Sequence, residues 1–129
     1  DKDSLHIGDQ FWQWSRTQHY VETLACRVNV ANSSFVFTAD TGPEWDVKSL
    51  GEDINLVISE STFLSDREEE EILHLSARQA GLLASNANAD KLVLSHIAPG
   101  EDETAHLNEA RSVFDGPVSL ACVGKHYVV

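Results

Sequence analysis

Basic residues are scarce: the 129-residue chain carries 9 lysines and arginines against 21 aspartates and glutamates, a formal net charge of -12. Most of such a surface repels a polyanion, which argues against affinity built from general phosphate contacts and so against duplex nucleic acid as a partner. A small substrate, or help from another chain, suits that balance better. No apolar run approaches the roughly 18 residues of a membrane span, and Asp1-Lys2-Asp3-Ser4 has no signal-peptide character, so a soluble, cytoplasmic protein without membrane contact is expected. Cysteine is limited to Cys26 and Cys122, too few for spacing to define disulfides, and both lie in strand-like runs where small core residues are expected. Repeats, low-complexity tracts and linkers are absent, so residues 1–129 read as a single domain. Methionine is missing altogether and the chain opens on Asp1, from which a reading frame that starts upstream is expected.

What is present can build a core, since 42% of the residues are hydrophobic. The organising stretch is Phe35-Val36-Phe37-Thr38-Ala39-Asp40-Thr41-Gly42-Pro43. Strand-forming residues run straight into an acid, and Thr-Gly-Pro then turns the backbone, leaving the carboxylate at a strand end. Two later segments repeat the arrangement: Asn55 to Ser59 ends in Glu60, and Lys91 to Ser95 ends in His96. In an α/β sheet the carboxyl ends of parallel strands lie along one edge, where polar side chains converge on a common crevice. That edge is the candidate site.

Along the chain, Phe11 to Arg16 alternates as a two-sided strand that runs into His19. Val21 to Val30 and Ser34 to Ala39 follow as strands joined by the turn Ala31-Asn32-Ser33, and Pro43 to Asp53 reads as a loop with a short helical turn. Asp66 to Glu71 is a solvated acidic run or the first turn of a helix. Ser76-Ala77-Arg78-Gln79 has the pattern of a capping box, after which Ala80, Leu83, Ala84 and Ala87 form one apolar stripe. Glu103 to Phe114 is a second amphipathic helix, and Val118 to Val123 and Tyr127 to Val129 read as closing strands. His6, His106 and His126 are expected on the surface, and Trp12, Trp14 and Trp45 as aromatic core.

Five pieces then fall in a familiar order: His19-x3-Thr23-Leu24, Thr38-Ala39-Asp40-Thr41-Gly42-Pro43, Ile58-Ser59-Glu60-Ser61-Thr62-Phe63, His74-Leu75-Ser76-Ala77-x-Gln79-Ala80, and Leu92-Val93-Leu94-Ser95-His96. Together they resemble the second half of the metallo-β-lactamase superfamily, in its ribonuclease Z-like and cyclic-nucleotide phosphodiesterase branch. The resemblance implies an α/β fold, half of an αββα sandwich, with one mixed β-sheet and helices packed on one face. It implies a metal-dependent phosphodiester hydrolase with two divalent ions, zinc or manganese, in the complete domain. His19 then matches a ligand of one metal, Asp40 the bridging carboxylate and His96 a ligand of the other. Glu60 and His74 match an orienting carboxylate and the imidazole that protonates the leaving oxygen. The alternatives are that Asp40 is a simple turn former before Gly42-Pro43, and Glu60 with His74 no more than a helix-entry ion pair.

The family's His-x-His-x-Asp-His loop is absent, since the chain contains neither His-x-His nor Asp-His. Two protein ligands per ion fall short of a catalytic zinc site. A single sheet would also leave one apolar face in water, which soluble monomers avoid. A partner is therefore expected, either a missing N-terminal half-domain or a second copy in a dimer, and the chain alone need not hold metal. The substrate expected of a complete domain is a small phosphodiester or nucleotide, or an RNA 3′ end. The alternative is a non-catalytic remnant or dimerising assembly module without a metal centre.

Overall fold

The structure, a computed structural model, describes residues 3–129. Seven strands form one sheet whose spatial order follows the chain: β1 (Ser4–Ile7), β2 (Gln10–Arg16), β3 (Leu24–Val30), β4 (Ser33–Phe37), β5 (Leu56–Glu60), β6 (Leu92–Ser95) and β7 (Val118–Leu120). Strands β1 to β4 pair antiparallel, and β4 to β7 pair parallel. The sheet is mixed, as expected. The β3–β4 turn places Ala31 at φ 50°, the left-handed backbone that a tight two-residue hairpin needs. The parallel strands are linked by crossovers, two of which carry the helices α1 (Ala77–Asn86) and α2 (Glu103–Arg111).

Alternation along the strands separates two faces. Ala25, Val36, Val57, Leu92, Leu94 and Val118 point to the helices and join Ala80, Leu83, Ala84 and Ala110 in the core. Helix α1 starts where the capping box places it: the Ser76 hydroxyl accepts from the Gln79 amide, and the Gln79 side chain accepts from the Ser76 amide. The two helices come close at Gly81, where a Cβ would lie 2.7 Å from the Ala110 carbonyl oxygen. The opposite face carries Trp12, Trp14, Cys26, Phe35, Phe37 and Ile58, by the register of β2 to β5. Among the described residues no helix covers it, and Phe37 is 43% exposed. Trp12 and Trp14 stack on this open face, while Trp45 packs against the core and donates its indole N–H to Ser15.

Several expectations are corrected. Strand β1 was not anticipated, because Ser4 to Ile7 is exposed throughout and has no buried face to impose a pattern. β3 begins at Leu24 rather than Val21, because Thr17 pairs its amide with the Thr23 carbonyl and closes residues 18–22 into a loop. Tyr127 to Val129 forms no strand: after Leu120 the chain turns at Gly124 and folds back, held by the Tyr127 hydroxyl on the Leu120 carbonyl and by Lys91 on Val128. Cys122, in this returning segment, is exposed rather than core, and Cys26 is half-buried. His106 is fully buried. Its Nδ1 lies 2.9 Å from the Asp102 carbonyl one turn earlier, so the ring folds back against its own helix instead of reaching water.

The acidic run is only partly a solvated stretch. Ser65–Arg67 makes a 3-10 turn, and Glu68 then ties the loop to the start of α1 by accepting from Ser76 and from the Arg78 guanidinium. Burial would raise the Glu68 carboxyl, but the hydrogen bonds and charge of Arg78, with the Ser76 hydroxyl, outweigh it and hold the group below its ordinary value. A depressed carboxyl contributes stability that is complete above the unfolded-state value of about 4.3 and is lost as the pH falls through the folded one. Arg78→Ala should therefore lower unfolding free energy at neutral pH by about 1 kcal/mol. In urea titrations at decreasing pH, the gap to the parent should close below the ordinary carboxylate range.

Candidate functional site

Strands β2, β4, β5 and β6 all run in one direction, because two successive antiparallel pairings return β2 to the sense of β4. Their carboxyl ends share one rim. His19 follows β2, Asp40 follows β4, Glu60 closes β5 and His96 follows β6. His74 comes from the loop ahead of α1.

The rim is held by short polar links. The Thr17 hydroxyl donates to the Asp40 carbonyl at 2.7 Å and the Gly42 amide to the Gln18 carbonyl at 2.6 Å, fastening the β2 end to the Asp40 turn. Asp40 is reached through Ala39 at φ 51°, and His96 itself stands at φ 54°. Left-handed backbone costs a non-glycine residue of order 1 kcal/mol and concentrates at functional sites. Both positions lie just beyond a strand end, Ala39 after β4 and His96 after β6.

Asp40 is central. Its Oδ2 lies 3.8 Å from Nε2 of His19 and its Oδ1 lies 3.6 Å from Nδ1 of His96. The His74 ring sits between the other two imidazoles, with centroids 4.9 Å from His19 and 5.3 Å from His96. Asp40, His74 and His96 each offer a ligand atom, and these atoms lie within 4.8 Å of one another. Nitrogen and oxygen donors gathered this closely suit zinc or a similar divalent ion. His74, read from the sequence as a proton donor, thus stands inside the donor cluster as well as beside it.

Glu60 lies beneath this cluster, 2% exposed. Oε1 accepts from the Thr41 amide at 2.6 Å and lies 2.9 Å from Nδ1 of His74. Oε2 accepts from the Thr62 hydroxyl at 2.7 Å and from the Leu75 amide at 3.0 Å. The two oxygens thus meet two backbone amides, a hydroxyl and an imidazole, one partner for each lone pair of a carboxylate. Its distance to His74 is that of an ion pair, but its amide and hydroxyl partners make it the fixed point of the loop.

All five residues singled out from the sequence converge. Four others were given no role: Thr17 and Thr41, the Leu73 carbonyl that holds Nδ1 of His19 at 3.0 Å, and Thr62. Thr62 also lies 2.9 Å from Nδ1 of His96. It was legible in one respect, since it stands two residues beyond Glu60, where an extended chain returns a side chain to the same side.

A mixed sheet with helices on one face and a His/Asp cluster at the rim defines a metallo-β-lactamase type of half-sandwich. The chain belongs to the beta-lactamase superfamily, whose Beta-lactamase superfamily domain model matches residues 8–97. It is 41% identical over 93 residues to ribonuclease Z of Haloarcula marismortui, covering 67% of this chain and 29% of that protein. The crystal structure of the metallo-beta-lactamase fold protein YhfI from Bacillus subtilis superposes with a TM-score of 0.87 at 28% identity, covering 95% of this chain and 50% of that one. The short form of human tRNase Z superposes with a TM-score of 0.69 at 17% identity, over 91% of this chain and 41% of that one, a likeness of fold. The chain thus spans half or less of the length of these relatives.

Proposed function

We propose that the chain supplies half of the binuclear metal centre of a metal-dependent phosphodiester hydrolase. The observation that carries this is Asp40 at the meeting point of three imidazoles, with His19 and His96 on either side of its two oxygens. That arrangement would let the Asp40 carboxylate serve two cations, with His19 and His96 as the flanking nitrogen donors. The similarity to ribonuclease Z supports a phosphodiester substrate, and the acidic balance favours a small one, such as a cyclic nucleotide, over an RNA 3′ end.

Two divalent ions, zinc or manganese, would supply Lewis-acid polarisation of the phosphoryl group and activate water. The chain's own residues do the remaining work. Glu60 keeps Nδ1 of His74 protonated and the ring fixed, so Nε2 can hold the proton that the leaving oxygen takes. Without His-x-His-x-Asp-His the ligand set is short, and the open Trp12–Phe37 face needs a cover. A half-domain preceding this chain would meet both needs. A second copy packed on that face would cover it without adding the missing ligands, which is the arrangement of a non-catalytic assembly module.

The test uses protein expressed from the complete reading frame, with bis-p-nitrophenyl phosphate and cyclic nucleotides as substrates. Turnover that stops on chelation and returns with manganese or zinc is expected. A protein that self-associates but neither binds these ions nor turns over a phosphodiester would favour the assembly module.

A further inference from the structure

We infer that Thr62 is a positioning residue that locks His96 into the tautomer presenting Nε2, through a relay that starts at the carboxylate holding His74. The cation part of this inference rests on the function proposed above; the tautomer part does not.

A hydroxyl has one proton to give. Thr62 Oγ1 lies 2.7 Å from Oε2 of Glu60 and 2.9 Å from Nδ1 of His96. As a carboxylate Glu60 has only acceptor oxygens, which take the Thr41 and Leu75 amides and have Nδ1 of His74 beside them. The Thr62 proton therefore goes to Glu60, and the hydroxyl can only accept from His96. Nδ1 of His96 carries the proton. The nearer oxygen of Asp40, at 3.6 Å from that nitrogen, is beyond hydrogen-bond reach and does not compete.

The hydroxyl is well fixed for this duty. The Thr62 amide donates to the Leu75 carbonyl at 2.8 Å, and its carbonyl accepts from the Ala98 amide at 3.1 Å. His19 and His74 obey the same rule by simpler means, their Nδ1 atoms facing the Leu73 carbonyl and the Glu60 carboxylate, neither of which can donate. All three imidazoles thus direct Nε2 away from their anchors. His96 is the one held at second hand, and it is half-exposed, so it has the most orientational freedom to lose. One carboxylate consequently sets two histidines, His74 directly and His96 through Thr62. Anchoring partners of this kind are worth about 10–100-fold in cation affinity.

Long-range nitrogen–proton NMR of the full-length protein, recorded across a pH series, reads the tautomers without metal, and competition against a chromophoric chelator reads zinc and manganese affinity. Protonation of His96 on Nδ1 is expected in the parent and in Thr62→Ser. Thr62→Val, which keeps the shape and removes the hydroxyl, should give a tautomer mixture at His96 alone and about 10–100-fold weaker cation binding, with His74 unchanged. A parent spectrum with His96 protonated on Nε2, or a Thr62→Val protein whose His96 tautomer and affinity match the parent, overturns the relay and leaves the hydrolase reading standing. A parent that takes up neither cation overturns the hydrolase reading, and the His96 tautomer still decides the relay.

Discussion

Asp40→Ala is expected to remove divalent-cation uptake at the rim, lowering zinc affinity by more than about a hundredfold, because it deletes the carboxylate that stands beside both flanking imidazoles. Phosphodiester turnover should fall with it to background. The fold should survive. The side chain is partly exposed and makes no hydrogen bond that the loop depends on; the Thr17 link goes to its backbone carbonyl, which alanine retains. Unfolding free energy without metal should then stay within about 0.5 kcal/mol of the parent. Calorimetric zinc titration beside a urea melt separates the outcomes. Unaltered zinc binding with an intact fold would reduce Asp40 to a turn former ahead of Gly42-Pro43.

Glu60→Gln should behave in the opposite way, with a large loss of stability from a change of one atom. Both carboxylate oxygens face donors, the Thr41 amide and His74 on one side and the Thr62 hydroxyl and Leu75 amide on the other. A glutamine amide must turn its NH₂ towards one of these pairs, so donors meet donors in a site that is 2% exposed. Buried groups left unsatisfied cost about 1–3 kcal/mol each, and a loss of about 3 kcal/mol in urea or thermal unfolding is expected. A melt within about 0.5 kcal/mol of the parent would mean that water or a rearranged loop serves these donors, and that Glu60 does not anchor the rim.

The elements that sequence reading found have a local signal that tertiary structure did not override. Ser76 and Gln79 cap each other across three residues, and Phe35 to Phe37 runs into Asp40 before Gly42-Pro43; both patterns are written within one turn of chain. Strand β1 had no such mark, since all of Ser4 to Ile7 is exposed and its pairing with β2 is its only reason to be extended. His106 misled for a related reason: no motif around it in the sequence marks it, and its burial depends on a ring folded onto Asp102 and on the packing of α2. At the rim, the order His19, Asp40, Glu60, His74, His96 was legible because each stands at a strand end or helix entry. The threonines were less so. The spacing of Thr62 puts it on the side of Glu60, but its reach to His96, the Thr17 hydroxyl on the Asp40 carbonyl and the Thr41 amide on Glu60 are contacts between strands that no spacing along the chain encodes.

Because each strand lies beside the one made before it, the sheet needs no gap to be left open for a later arrival. A nascent chain can add strands in turn from the β1 edge, each docking on a surface already in place, as domains commonly form during synthesis. The rim is then complete only when β6 has joined and brought His96, with α2 and β7 still to follow, and the imidazoles stay apart until most of the chain has emerged.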